Sequence, residues 1–271
     1  MNKTLTFFTA PITALFYPPV YRDAAKSSAG RGVLYLLYLA GLSAVFVMMA
    51  LSAKVMPQVD AFADWAGKNM PVLVWTPDGL VMENGQTTAA LTHPKYGTIA
   101  LFDINKTNIV PADMQNAYVF ITAKKVFYKS GPGQIETRDI TGPNVAPGQQ
   151  LPPRVRFTGD VIGKMYQNIK KAMGLIVPIM VLFFSFILFL MINLFYSLAG
   201  LLFNLMRVEK LGYGAIFNLT CFATTGAFTL AWVRLLIPVR GLHGMFALGV
   251  LINLGLMFFA FRVTDKKPAQ A

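Results

Sequence analysis

The chain has 271 residues, of which 55% are hydrophobic and only 13% charged, with a mean hydropathy of +0.53. A water-soluble domain carries roughly twice that charged fraction, which excludes a purely cytosolic or secreted protein as the first reading and leaves a membrane protein. The 24 Lys and Arg against 12 Asp and Glu give a net charge of +12; in a membrane chain such an excess anchors helix flanks against anionic lipid more often than it binds nucleic acid. One cysteine, Cys221, excludes an intrachain disulfide framework and a paired-cysteine metal site.

Residues Leu5 to Tyr21 interleave Phe7, Phe8, Leu15, Phe16, Tyr17 and Tyr21 with Pro11, Pro18 and Pro19, and then turn basic at Arg22 and Lys26. This pattern predicts an interfacial segment on the cytoplasmic leaflet, a disordered tail being the alternative. A cleaved secretory signal is not expected, because 32 mixed residues precede the first apolar run and no small-residue cleavage site follows it.

Four stretches without charge follow: Val33 to Ala53, Ala172 to Met206, Leu211 to Val233 and Gly241 to Phe261. Each reaches the roughly 20 residues that cross about 30 Å of hydrocarbon. The second holds 35 residues, about 52 Å as one helix, so it must tilt, project or bend, with Pro178 and Gly200 as candidate bend sites. Nine Lys or Arg lie on the flanks that share a side with the N-terminus, against Arg234 and Arg240 in the opposing short loop. The excess predicts that both termini are cytoplasmic.

Between the first two spans, Met56 to Lys171 supply 116 residues, enough for a small domain on the extracytoplasmic side. Short apolar runs (Val72 to Trp75, Leu80 to Met82, Thr98 to Phe102, Tyr118 to Ile121, Val126 to Tyr128, Val155 to Phe157) alternate with turn signals such as Pro77-Asp78-Gly79 and Glu83-Asn84-Gly85. They predict an antiparallel sheet or meander. Asp60 to Asn69 and Asp160 to Lys171 read as helices, the second running straight into the second span, and Thr141 to Pro153 reads as a loop. The expected fold class is an α-helical integral membrane bundle of four transmembrane helices with an inserted extracytoplasmic β-rich α+β domain. Its segments are 1–32, 33–55, 56–171, 172–206, 211–233, 241–262 and 263–271.

Chemistry inside the bilayer needs ionisable groups, and the four spans contain no Asp, Glu, Lys or Arg; His243 stands only in the first turn of the fourth. No zinc-protease helix and no nucleophile elbow is present. The chain is therefore expected not to be an enzyme and to use no cofactor or metal. Neutral polar residues do form rows. Asn193, Ser197, Gly200 and Asn204 share one face of the second helix; Gly214, Asn218, Cys221, Thr225 and Thr229 repeat the pattern on the third; the fourth offers Gly249 and Asn253. Helix contacts are the preferred reading of these rows, and a polar groove for a headgroup or small solute is the second.

Arg234, Arg240 and His243 bracket Pro238 and are candidate contacts to an anionic lipid, interfacial anchoring being the simpler reading. Asp103, Asn105, Asn108 and Asp113 lack the spacing of a calcium loop and read as turn caps. His93, before Pro94, reads as a surface loop histidine. The basic residues of the inserted domain lack aromatic platforms for stacked bases, so nucleic acid is not an expected partner.

Pro11, Phe16-Tyr17, Tyr21-Arg22, Gly30-Arg31-Gly32 and Tyr35-Leu36-Leu37, with Pro71-Val72-Leu73, Pro77-Asp78-Gly79-Leu80 and Ile99 to Asp103, resemble a bacterial inner-membrane family of unknown function. That family lies within the broad Yip-type membrane superfamily and includes a maltodextrin-utilisation membrane protein. The sequence departs from the family late, with Thr224-Thr225-Gly226 standing where a proline follows the Leu-x-Tyr segment. The resemblance implies the fold and the location and brings no catalytic residues. Together these features lead to a non-enzymatic inner-membrane protein whose extracytoplasmic domain docks on a membrane or periplasmic partner or on a second copy, in an assembly, accessory or regulatory role. The alternative is a lipid or small-solute transporter using the neutral polar rows.

Overall fold

The computed structural model describes residues 3–114, 117–131, 134–140, 154–236 and 245–265. The chain divides into two compact units, one of Met1–Pro57 with Ala172–Ala271 and the other of Gln58–Lys171.

The first unit is helical. Helices α1 (Lys3–Thr13) and α2 (Pro18–Ala25) precede α3 (Ala29–Ala50), which is followed by one π-helical turn at Leu51–Val55 and by α4 (Met56–Asn69). Pro18 and Pro19 open α2, where the missing N–H groups would have had no helical acceptor. After the sheet region comes α5 (Gly159–Leu205), then α6 (Tyr213–Ala223), α7 (Thr225–Leu236) and α8 (Met245–Thr264). The third apolar stretch is thus two helices that meet at Thr224. The second is one helix of 47 residues with Pro178 inside it. Proline costs one backbone hydrogen bond there, which neighbouring groups in a spanning helix can make good.

Among the described residues, four helical stretches are long and apolar enough to cross a membrane: Ala29–Asn69, Gly159–Leu205, Tyr213–Leu236 and Ala247–Thr264. Burial follows the same reading. None of residues 172–188 of α5 is buried, and Leu175, Ile179, Phe183 and Phe184 are all more than half exposed. A helix apolar on every side is stable against hydrocarbon rather than water. Farther along, Phe189, Asn193, Ser197, Gly200 and Asn204 are buried on one stripe.

The core of this unit gathers Tyr35, Leu36 and Leu39 of α3, Ile216, Leu219 and Phe222 of α6, and Met257, Ala260 and Phe261 of α8. The Tyr35 ring stacks on Phe222 at 4.0 Å. Ala10, Ala14, Val20, Tyr21 and Ala24 belong to the same core. The N-terminal segment, expected at the membrane surface, therefore contributes buried side chains to the helical unit. Its small residues allow α2 to approach closely, and the buried Tyr21 hydroxyl donates to Ala14 O at 2.6 Å.

Among its described residues the second unit holds two small sheets. One has the order β2 (Gly79–Met82), β1 (Leu73–Thr76), β8 (Val155–Phe157), all antiparallel. Gly79 closes the β1–β2 turn at φ 130°, a conformation that side chains rarely adopt. The other runs β3 (Thr88–His93), β4 (Gly97–Asp103), β5 (Val119–Ile121), β6 (Lys125–Gly131), β7 (Gln134–Asp139). Here the antiparallel meander expected from the sequence needs correction, because β4 and β5 pair in parallel. The segment 104–118, which includes a single 3₁₀ turn at Pro111–Met114, is long enough to return the chain to the same end of the sheet. Leu73, Trp75, Leu80, Met82, Leu91, Ala100 and Phe102 form the main core of this unit, and Met114, Phe120 and Phe127 form a smaller one. The loop expected at Thr141 to Pro153 lies outside the described residues.

Candidate functional site

The neutral polar rows of the helical unit show where polar atoms accumulate without charge, and each has a definite set of partners. Asn218, fully buried on α6, reaches the joint between α2 and α3. Its Oδ1 accepts the Gly32 N–H at 2.9 Å, and its Nδ2 donates toward the carbonyls of Ala24, Ser27 and Ser28 at 3.2, 3.0 and 2.9 Å. These backbone groups lie at a helix end and a helix start, where the intrahelical ladder is incomplete; Ala24 O also accepts the Ser27 N–H and Ser28 O the Arg31 N–H. One side-chain amide closes both ends. Gly32 makes the approach feasible: a Cβ there would stand 2.5 Å from Asn218 Oδ1.

On α5 the row turns toward α6. Ser197 Oγ lies 3.0 Å from Thr220 Oγ1, and Thr224 Oγ1 donates to Asn193 Oδ1 at 3.3 Å. Asn193 Nδ2 donates back to Phe189 O at 2.9 Å. Asn204 pairs with the Leu211 peptide, donating from Nδ2 to Leu211 O at 3.1 Å and accepting Leu211 N–H at 2.9 Å. Thr225 Oγ1 lies 2.7 Å from the Tyr35 hydroxyl. Bonds of this kind between membrane helices contribute about 0.6 kcal/mol on average and up to about 2 kcal/mol.

Cations finish the helix ends. Lys210 Nζ donates to the carbonyls of Asn204, Leu205 and Arg207 beyond the end of α5, and Lys54 Nζ donates to Leu235 O at the end of α7. Arg207, only 7% exposed, donates from Nη1 to Phe261 O at 2.5 Å and from Nη2 to Thr264 O at 3.0 Å; Arg22 Nε donates to Val263 O at 3.0 Å. The negative end of each helix dipole and its unpaired carbonyls explain why Lys and Arg settle there. Sequence reasoning counted Arg22, Arg207 and Lys210 as topology signals and missed this capping. Their position just past an apolar run was the available clue.

Asn253 differs from the other members of the rows. It has no exposed surface, and neither Nδ2 nor Oδ1 has a hydrogen-bond partner among the described residues. An unpaired buried amide costs about 1–3 kcal/mol. It lines a cavity of about 310 Å³ between α5, α7 and α8, together with Ile192, Phe228, Val250, Thr224 and Arg234. Asn253 and Thr224 are buried, whereas Ala231 and Arg234 are exposed. Arg240 and His243 lie outside the described residues, so of the basic outer-end candidates only Arg234 is placed.

In the second unit, His93 is the last residue of β3 and is half-buried, where a surface loop position was expected. Its ring packs edge-on against Trp65 of α4 at 4.5 Å, and its Nδ1 accepts the Lys95 N–H at 3.0 Å. That aromatic contact holds it at the strand end. Asp103 Oδ1 accepts the Asn105 N–H, and Asp113 Oδ2 accepts the Val110 N–H while Oδ1 pairs with Lys106 Nζ at 2.6 Å. The Lys106 hydrogen bond and then the Val110 N–H hold the Asp113 carboxyl below its ordinary value. Asp60 of α4 accepts from Tyr166 and Lys170 of α5 at 2.5 and 2.6 Å. Among the described residues no group of three or more His, Cys, Asp or Glu converges to hold a metal.

No curated protein and no solved structure matches the chain. One family model, described as a protein of unknown function (DUF1189), matches residues 8–261. That match covers nearly the whole sequence and both compact units, so the chain belongs to the DUF1189 family.

Proposed function

We propose that this is a non-enzymatic protein of the bacterial inner membrane, with both termini cytoplasmic and the unit Gln58–Lys171 displayed on the extracytoplasmic side to dock on a membrane or periplasmic protein or a second copy of the chain. Its role is assembly, accessory or regulatory. The observation that carries this reading is the internal use of polarity: Asn193, Ser197, Asn204, Asn218 and Thr225 all bond within the helical unit. Side chains occupied in this way provide neither a general base nor a continuous polar route. The resemblance to the Yip-type superfamily supports the same plan of a helical membrane part with an inserted domain.

A transporter would instead need buried amides left free to exchange partners with a solute, and among the described residues Asn253 alone answers to that description.

Site-specific photocrosslinking in intact cells tests docking. A photoreactive residue at the exposed Tyr96 or Tyr118 should yield one discrete adduct, lost on alanine substitution of neighbouring surface residues. Absence of any adduct at both positions, together with solute uptake by vesicles containing the purified chain, would replace docking by transport.

A further inference from the structure

The cavity between α5, α7 and α8 joins three features that pairwise helix packing does not need. Its walls are apolar, formed by Ile192, Phe228, Leu230 and Val250. Its buried side carries Asn253, whose amide lacks a partner among the described residues, whereas the other buried side-chain amides and hydroxyls among them are paired. Its exposed rim carries Arg234, in the last turn of α7, which forms no ion pair among the described residues. Thr224 and Arg234 are ten positions apart, about 15 Å along the helix axis. The slot is therefore elongated, with a cation at its mouth and an amide farther in.

We propose that this cavity binds one anionic glycerophospholipid from the surrounding membrane. The Arg234 guanidinium takes the phosphate, for which its planar fork is suited. Asn253 takes an ester carbonyl on Nδ2, or a hydroxyl on Oδ1, of the glycerol region, and an acyl chain lies against Phe228, Ile192 and Val250. A free inorganic anion would satisfy Arg234 but leave the apolar walls and Asn253 without a partner. The helices that line the slot belong to stretches long and apolar enough to cross a membrane, so lipid is the amphiphile at hand. This site belongs to the helical unit and is independent of docking by the other unit.

The test uses the full chain, purified in detergent, delipidated, and titrated separately with phosphatidylglycerol, phosphatidylcholine and inorganic phosphate. Native mass spectrometry counts bound lipid and thermal melting reports stabilisation. One phosphatidylglycerol per chain should be retained and should raise the melting temperature, phosphatidylcholine should do so less, and phosphate should have no effect. Asn253→Leu should weaken phosphatidylglycerol binding about tenfold, the loss expected for one buried hydrogen bond, while raising the melting temperature of the lipid-free chain. Arg234→Gln should abolish the preference for phosphatidylglycerol over phosphatidylcholine and leave lipid-free melting unchanged. Ala231→Trp, at the exposed rim, should block retention even if the Asn253 variant does not fold. Equal lipid retention by the wild type and Ala231→Trp, an equal shift with inorganic phosphate, or a folded Asn253→Leu chain with lowered lipid-free melting would each overturn the proposal.

Discussion

Asn218 and Gly32 are 186 positions apart, yet the Asn218 Oδ1 accepts the Gly32 N–H at 2.9 Å inside the helical unit. The same amide donates to the carbonyls that end α2, so one side chain fixes the angle at which α2 hands over to α3. Replacing Asn218 by Leu removes its bonds to Gly32 N–H and to three carbonyls, of which Ala24 O and Ser28 O keep a backbone donor, and should cost about 1–3 kcal/mol, read as a lowered melting temperature of the detergent-purified chain. Gly32→Ala should also destabilise, because its methyl group would press against Oδ1. Unchanged melting of both variants would mean that the joint is held elsewhere.

Arg207 carries the second prediction. Its guanidinium holds two carbonyls at the end of α8, the Thr264 hydroxyl at 2.7 Å and, at 3.7 Å, the Asp265 carboxylate. Arg207→Gln should destabilise by about 1.5–3 kcal/mol, the range for a hydrogen bond to a charged group. Arg207→Lys should recover little of it, since an ammonium cannot reproduce the planar fork. Full rescue by Lys would show that charge alone matters.

Asp113 gives a pH dependence. Its folded carboxyl is held below its ordinary value by Lys106 first and the Val110 N–H second. The contribution to stability is therefore complete above the unfolded value of about 3.9 and is lost as pH falls through the lower folded value. Melting of the unit Gln58–Lys171 should be flat in this respect from pH 5 to 8 and should decline below about pH 4. Asp113→Asn should flatten part of that acid limb; an unaltered limb would assign it to other carboxylates.

Membrane topology is open to a simple check. A reporter fused after Ala271 should be active in the cytoplasm, and one inserted near Gly148 should be active outside. Opposite signals at either point would contradict four crossings with cytoplasmic termini.

Much of the helical unit is legible in the sequence because absence of charge over 20 residues is a property of composition. The shared face of Asn193, Ser197 and Asn204 is legible too, since spacing alone puts them on one stripe. What Asn218 touches is not, because its partners are backbone groups of Ala24, Ser27, Ser28 and Gly32, which leave no complementary side chain to recognise. Asn253 looks in sequence like any other member of the rows; only packing around it shows that no donor or acceptor among the described residues meets it. The parallel pairing of β4 with β5 is hidden for a similar reason, since local turn signals specify hairpins and say nothing of a strand that returns after a long connection.

The role of the polar rows is tested most directly by measuring, on the same samples, thermal melting and co-purifying lipid for Asn193→Leu and Asn204→Leu. Internal pairing with Thr224 and with the Leu211 peptide predicts melting lowered by an amount consistent with about 0.6–2 kcal/mol, with bound lipid unchanged wherever the variants remain folded. Unchanged melting with loss of bound lipid would contradict internal pairing and show that these amides line a path.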